Sequence, residues 1–101
     1  MCSSDLFPAV ALARRAGTAG GTAPAVFNGA DEACVAAFMD GRLPFLGIVD
    51  TVARVLEEHL GGAAEMPWVD GNNATLENVF SADGWARARA AELVEARERE
   101  A

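Results

Sequence analysis

Apolar residues recur at steps of three and four along most of the chain, and this spacing predicts helices. The clearest stripe lies between Thr22 and Arg42 and consists of Val26, Phe27, Ala30, Cys34, Ala37 and Phe38. Thr22 suits the N-cap of this helix, and Pro24 suits its first turn. Gly41 follows where a helix-ending glycine is favoured. The pattern therefore predicts one long, mostly buried helix with a capped start and a defined end.

Two shorter helices are predicted on either side of this one. The first begins near Pro8, runs to about Ala16 and ends at Gly17. The next runs from about Gly47 to His59, and its inward positions are Ile48, Val49, Val52, Val55 and Leu56. Because several of these residues are β-branched and only modest helix formers, packing must hold this helix in place.

The C-terminal part of the chain predicts a loop followed by two helical segments. Residues 63–74 contain Pro, Gly and an Asn pair, and we expect Trp68 and Val69 to anchor this loop to the bundle. Thr75 is a candidate N-cap for a short segment whose inward residues would be Leu76, Val79 and Phe80. Ser81 is a candidate cap for a separate last helix, which ends in a solvated charge run. The predicted fold class is all-α, a small bundle of about four helices.

Length and charge limit the classes of function. A chain of 101 residues makes one small domain. Its net charge is −7, all eight basic residues are Arg, and an acidic protein of this kind is a poor ligand for nucleic acid or anionic lipid. The chain contains no run of about 18 apolar residues, which is the length that would predict a membrane span. No secretory signal is recognisable either, so we expect a cytoplasmic protein without nucleic-acid or membrane partners.

The first six residues, 1–6, do not continue the helical pattern. Their sequence MCSSDL is similar to the translated end of a sequencing adapter, and we interpret it as a non-native or disordered leader. Cys34 lies on the apolar stripe of the long helix, and two cysteines are too few for a disulfide scaffold. We therefore expect Cys34 to be a small core residue.

Candidate chemistry is sparse. Residues 17–22 are glycine-rich and precede a helix, but they lack the Lys of a phosphate loop, so a plain connection between helices is favoured. Glu57, Glu58 and His59 are consecutive and diverge around a helix, which favours a solvated helix end with His59 near the negative end of the dipole over a metal site. Asn28, Asp31 and Glu32 form a polar cluster near the start of the long helix, and hydrogen bonding to a neighbouring element is its favoured role.

The same residues carry a resemblance to a known family. Asn28-Gly29-Ala30-Asp31-Glu32, then Ala36-Ala37-Phe38 and Gly41-Arg42-Leu43-Pro44-Phe45, resemble the C-terminal helical domain of 1-deoxy-D-xylulose 5-phosphate reductoisomerases. That family usually has Asn-Ala-Ala-Asn-Glu, Ala-Ala-Phe and Arg-Ile-Arg-Phe in this order. Phe7-Pro8-Ala9 upstream, and Thr75-Leu76-Glu77 with the run from Ala82 to Arg87 downstream, extend the resemblance from about Phe7 to Glu98. It implies a C-terminal helical domain over residues 7–101. Gly29 and Asp31 depart from the usual Ala and Asn.

The resemblance implies a supporting domain of a larger enzyme. Reductoisomerases of this family bind NADPH and a divalent metal, Mg²⁺ or Mn²⁺, in domains that precede the helical one. They act in isoprenoid synthesis by the non-mevalonate pathway. No catalytic, cofactor-binding or metal residue is carried over to this chain, which we expect to be inactive alone and to pack against the catalytic domain of the same polypeptide in a homodimeric parent. Two alternatives are an independent helical interaction module and a small acidic metal- or nucleotide-binding enzyme.

Overall fold

Four helices account for nearly all of the ordered backbone. The computed structural model describes residues 8–61 and 68–100. Its helices are α1 (Pro8–Ala19), α2 (Ala23–Met39), α3 (Phe45–Leu60) and α4 (Leu76–Glu100), and the described residues contain no strand. The predicted all-α bundle is confirmed. The leader at residues 1–6 lies outside the described residues, and its interpretation stays a prediction.

Helix α2 forms the centre of the bundle and packs mainly against α4 on one side and α3 on another. Its buried residues follow the predicted stripe, with Phe27 only partly buried and Phe38 exposed at the rim. Helix α3 contributes Ile48, Val52, Val55 and Leu56 to the same core, as expected from its spacing. Helix α1 packs against α2 and, less extensively, against α3.

Small side chains allow α4 to lie close to α2. Its buried positions are spaced by four and are Ala82, Ala86, Ala90 and Val94. On the facing side of α2, a Cβ atom at Gly29 would lie 2.8 Å from the backbone oxygen of Asp83. Real Cβ atoms essentially never approach an oxygen this closely, so the present helix spacing requires glycine at this position.

Helix α2 ends as the sequence predicts. Gly41 has a φ of +76°. Its N–H donates to the Phe38 oxygen, and the Arg42 N–H donates to the Ala37 oxygen. This pair of bonds is the Schellman arrangement, in which a left-handed glycine satisfies the last carbonyls of a helix. The buried Leu43 then leads into α3.

The predicted end of α1 is wrong, whereas the predicted N-cap position of α2 is confirmed. Gly17 does not end α1, which continues to Ala19, and the turn is made instead by Gly20 and Gly21 with φ of +67° and +58°. A Cβ at Gly21 would lie 1.9 Å from the Val69 oxygen, so this loop is shaped to accept the segment that follows α3. Thr22 occupies the N-cap position of α2 but makes no side-chain capping bond, because its hydroxyl is engaged elsewhere.

The predicted division of the C-terminal region into two helices is also wrong. Thr75 caps α4 as expected, since its Oγ1 accepts from the Asn78 N–H while Asn78 Oδ1 accepts from the Thr75 N–H. The helix then continues without a break through Ser81, which is exposed. Leu76 and Phe80 do not point inward and are about 70% exposed. The buried stripe of α4 begins only at Ala82, and Phe80 instead lines an open groove between α1, α2 and α4.

Candidate functional site

The two side chains with the greatest potential for chemistry lie inside the core. His59 is fully buried, and its Nε2 forms a hydrogen bond with Thr22 Oγ1 at 2.7 Å. The expectation of a solvated His59 at a helix end is therefore wrong. Its imidazole lies 5.9 Å from the ring of Trp85, measured between centroids. The residue continues the buried α3 stripe of Val52, Val55 and Leu56 at a step of three, and this spacing could have revealed its burial.

Cys34 is fully buried on α2, as predicted. Burial raises the pKa of its thiol to about 11, and the nearby charge of Asp31 adds to the shift, while a hydrogen bond with Thr51 opposes it. The reactive form of cysteine is the thiolate, so Cys34 is protonated and inert at neutral pH. Neither Cys34 nor His59 can reach a molecule at the surface.

The two carboxylates and the imidazole at the end of α3 point in different directions. Glu57 pairs with Arg15 of α1, and Glu58 pairs with Arg89 of α4, while His59 points into the core. Over residues 8–61 and 68–100, no three His, Cys, Asp or Glu side chains come together as a metal site would require. The residues described here do not fit a divalent metal.

The bond between Glu58 and Arg89 fixes α3 against α4. Arg89 donates from Nε and Nη2 to the two carboxylate oxygens at 2.7 and 2.9 Å. These hydrogen bonds hold the pKa of Glu58 below its usual value. Both side chains are less than a third exposed, so the pair is shielded better than the other ion pairs of the domain.

The structure separates the predicted polar cluster into two grooves. Asn28 and Glu32 line an open groove of about 710 Å³ between α1, α2 and α4, which we call the polar groove. Arg87 of α4 donates to Glu32 and, at 2.9 Å, to Asp83. These two hydrogen bonds raise the pKa of Arg87. The sequence gives no indication of the bond with Glu32, because it depends on which face of α4 packs against α2.

Asp31 lies instead in a smaller groove between α1, α2 and α3, which we call the apolar groove. Its volume is about 170 Å³, and its other lining residues are Leu12, Phe27, Val35, Phe45, Ile48, Val49 and Val52. Asp31 is the one charged residue among them and makes no hydrogen bond or ion pair with any described residue. At one end of the groove the rings of Phe38 and Phe45 meet edge to face, with centroids 5.8 Å apart.

Comparison with known proteins shows the family of this chain. Residues 2–89 match the family described as the DXP reductoisomerase C-terminal domain. The chain belongs to this family. The matched span begins at Cys2 and therefore includes most of the leader that the sequence pattern had set apart.

Curated relatives of the domain are enzymes named 1-deoxy-D-xylulose 5-phosphate reductoisomerase. The protein from Kitasatospora griseola is 58% identical over 90 residues, which are 89% of this chain and 22% of that relative. The Streptomyces avermitilis protein is 53% identical over 90 residues, covering 89% of this chain and 21% of its own length. The Cutibacterium acnes protein is 53% identical over 94 residues, covering 89% and 23%. The domain thus spans about a fifth of the relatives it matches.

None of the described helices combines the length and apolar character that a membrane crossing requires. Large apolar residues are exposed on α2, α3 and α4 and in the segment that follows α3, and they are Val35, Phe38, Met39, Phe45, Leu46, Trp68, Leu76 and Phe80. Trp68 has a structural role, because its Nε1–H donates to the Gly20 oxygen and anchors the segment as predicted. The others remain available for contact.

Proposed function

We propose that this domain is the C-terminal structural domain of a 1-deoxy-D-xylulose 5-phosphate reductoisomerase. The parent enzyme would depend on NADPH and a divalent metal and would make 2-C-methyl-D-erythritol 4-phosphate in the non-mevalonate isoprenoid pathway. The observation that carries this proposal is the family match over residues 2–89. The 58% identity to a reductoisomerase from Kitasatospora griseola supports it.

The domain's own residues support a role without direct chemistry. Its single histidine is enclosed by the core, and its buried thiol is held protonated. The acidic residues at the end of α3 are tied to arginines on two other helices. NADPH and Mg²⁺ or Mn²⁺ would therefore bind to polypeptide outside this domain, and the domain alone is inactive.

A supporting domain acts by holding the catalytic domain in its working geometry, since small displacements of catalytic groups reduce rates strongly. We infer that the partner is the catalytic domain of the same polypeptide, in a cytoplasmic parent that is a homodimer. The exposed apolar residues on α2, α3 and α4 support such a contact, because large apolar side chains on a small domain are typical of interaction surfaces. An independent interaction module would need the same surfaces but would not explain the family match.

A chimaeric enzyme tests the proposal. The C-terminal domain of the Kitasatospora griseola reductoisomerase is replaced by residues 7–101 of this chain, and NADPH oxidation is followed with 1-deoxy-D-xylulose 5-phosphate and Mg²⁺. We expect turnover within about tenfold of the parent enzyme, because the two domains are 58% identical and packed cores tolerate substitution when volume and apolar pattern are kept. The same enzyme truncated before its C-terminal domain serves as the control and should be inactive.

The isolated domain is assayed under the same conditions. It should show helical circular dichroism and no NADPH oxidation above background. A folded chimaera without activity would contradict the proposal and favour an independent interaction module. Turnover by the isolated domain would instead favour a small enzyme in its own right.

A further inference from the structure

We propose that the apolar groove between α1, α2 and α3 is the surface on which the preceding polypeptide of the parent enzyme docks. The partner would insert an apolar side chain into the groove and place a hydrogen-bond donor, an Arg side chain or a backbone N–H, against Asp31. This inference rests on the proposed function and specifies which face of the domain serves it.

The groove has the shape and lining of a docking site. Its walls are apolar except for Asp31, and they come from three helices that leave a gap of about 170 Å³. Phe45 lines the groove and is 66% exposed, although a phenylalanine of a small domain is normally covered. Val35 and Phe38 extend the same apolar surface along α2. Covering these residues would remove a continuous apolar area from water, which is the main source of free energy in docking.

Asp31 specifies the chemistry of the occupant. A carboxylate covered by a partner loses its hydration, and that loss is costly unless a donor replaces the water. No described residue donates a hydrogen bond to Asp31, and the arginines that form ion pairs are engaged with other carboxylates. A docking partner therefore has to bring one. A wholly apolar partner, or a second copy of the groove with its own Asp31, would leave the charge unpaired.

The polar groove on the other side of α2 is a weaker candidate. There Arg87 already joins Glu32 and Asp83, so the charges satisfy one another and no donor is missing. Exposed ion pairs such as Arg42 with Glu98 are hydrated and need no partner. The polar groove does have an uncovered ring, Phe80, but only the apolar groove combines an uncovered ring, Phe45, with an unpaired charge.

The length of the relatives identifies the occupant. This chain spans 22% of the Kitasatospora griseola reductoisomerase, and its family is defined as that enzyme's C-terminal domain, so most of such an enzyme precedes α1. Helix α1 itself forms one wall of the groove through Leu12. Because α1 is the helix that follows this polypeptide in the sequence, covalent linkage keeps the local concentration of the polypeptide at the domain high.

Two matched cysteine variants of the chimaera test this assignment. Phe45→Cys lies at the groove and Phe80→Cys lies on α4 outside it, and the two native rings are 66% and 68% exposed. Each variant is labelled with a maleimide, and the modification of that peptide is timed by mass spectrometry in the chimaera and in the isolated domain. We expect equal rates in the isolated domain. In the chimaera, Phe45→Cys should react at least about tenfold more slowly than Phe80→Cys, because docking covers only the groove.

The outcomes separate the two proposals. A chimaera without NADPH oxidation contradicts the proposed function and this inference with it. An active chimaera in which both cysteines react alike, or in which Phe80→Cys is the protected one, overturns the assignment of the groove and leaves the proposed function standing. Slower labelling of Phe45→Cys in the isolated domain at high concentration alone would show self-association through the groove and would also overturn it. Circular dichroism of each isolated variant verifies that the fold is retained.

Discussion

Thr22 and His59 meet in the core, with Oγ1 and Nε2 2.7 Å apart, and they join the start of α2 to the end of α3. The Thr22 hydroxyl also accepts from the Val69 N–H at 3.0 Å, and the Thr22 N–H donates to the Val69 oxygen at 2.9 Å. The segment after α3 is thus fastened to both helices through one threonine. A buried hydroxyl in this position contributes more to stability than a capping bond at the surface would.

Replacing Thr22 with Val keeps the shape of the side chain and removes its hydroxyl. We expect a loss of about 1–3 kcal/mol in the free energy of unfolding, because the Val69 N–H and His59 lose a buried partner. Urea unfolding followed by circular dichroism measures the change. Thr18→Val, on the exposed side of α1, is the matched control and should stay within about 0.5 kcal/mol. Equal stability of the two variants would mean that the Thr22 bond contributes nothing.

Two glycine substitutions should have opposite effects. Gly29→Ala places a Cβ 2.8 Å from the Asp83 oxygen and forces α4 away from α2, with an expected cost of about 1–3 kcal/mol that exceeds the gain in helix propensity. Gly84→Ala, in α4, meets no atom within 4 Å and should stabilise by up to about 1 kcal/mol. The melting temperatures of both variants, compared with that of the native domain, measure the two effects. A rise in the melting temperature for Gly29→Ala would show that the helices are not held at this distance.

The ion pair between Glu58 and Arg89 makes the free energy of unfolding depend on pH. Because Arg89 lowers the pKa of Glu58 in the folded state, its stabilisation is present above the unfolded value of about 4.3 and is lost as the pH falls through the lower, folded value. Arg89→Met should reduce stability at pH 7 by about 1–2 kcal/mol and flatten the decline in stability below pH 5.

Unfolding free energies from pH 7 to pH 2 measure this effect. Arg15→Met removes the more exposed pair with Glu57 and is the control, for which we expect little change at any pH. If Arg89→Met kept the full acid dependence of the native domain, another carboxylate would have to be responsible.

Cys34 should resist alkylation until the domain unfolds. Its thiol is buried, and its pKa is raised to about 11, so almost no thiolate is present at pH 8. In a Cys2→Ser background, reaction with an aromatic disulfide reagent should be at least about a hundredfold slower in buffer than in 6 M guanidinium chloride. Rapid reaction in buffer would show that the core around α2 opens readily.

Most of the fold could be predicted because the apolar spacing of α2 and α3 is regular and their ends carry glycine signals. The end of α2 at Gly41 follows from a backbone requirement that few other residues satisfy. The continuity of α4 could not be predicted, because Ser81 and Asp83 are typical of a helix start and only packing of Ala82 against α2 overrides them.

The surfaces were harder to predict than the core. Asn28, Asp31 and Glu32 share a helical face by spacing, but whether they act together depends on which neighbouring helix covers each one. Glu32 faces Arg87 across the polar groove, whereas Asp31 faces α1 and α3. His59 was assigned to solvent because it ends a charged run, yet its step of three from Leu56 places it inside. Such partnerships arise from tertiary packing, which a linear pattern does not encode.

The most direct test of the account is the rate of NADPH oxidation by the chimaera in which this chain replaces the C-terminal domain of the Kitasatospora griseola enzyme. We expect turnover close to that of the parent enzyme, and none from the truncated enzyme or from the isolated domain. A chimaera that folds and remains as inactive as the truncated enzyme would contradict the claim that this domain supports a reductoisomerase.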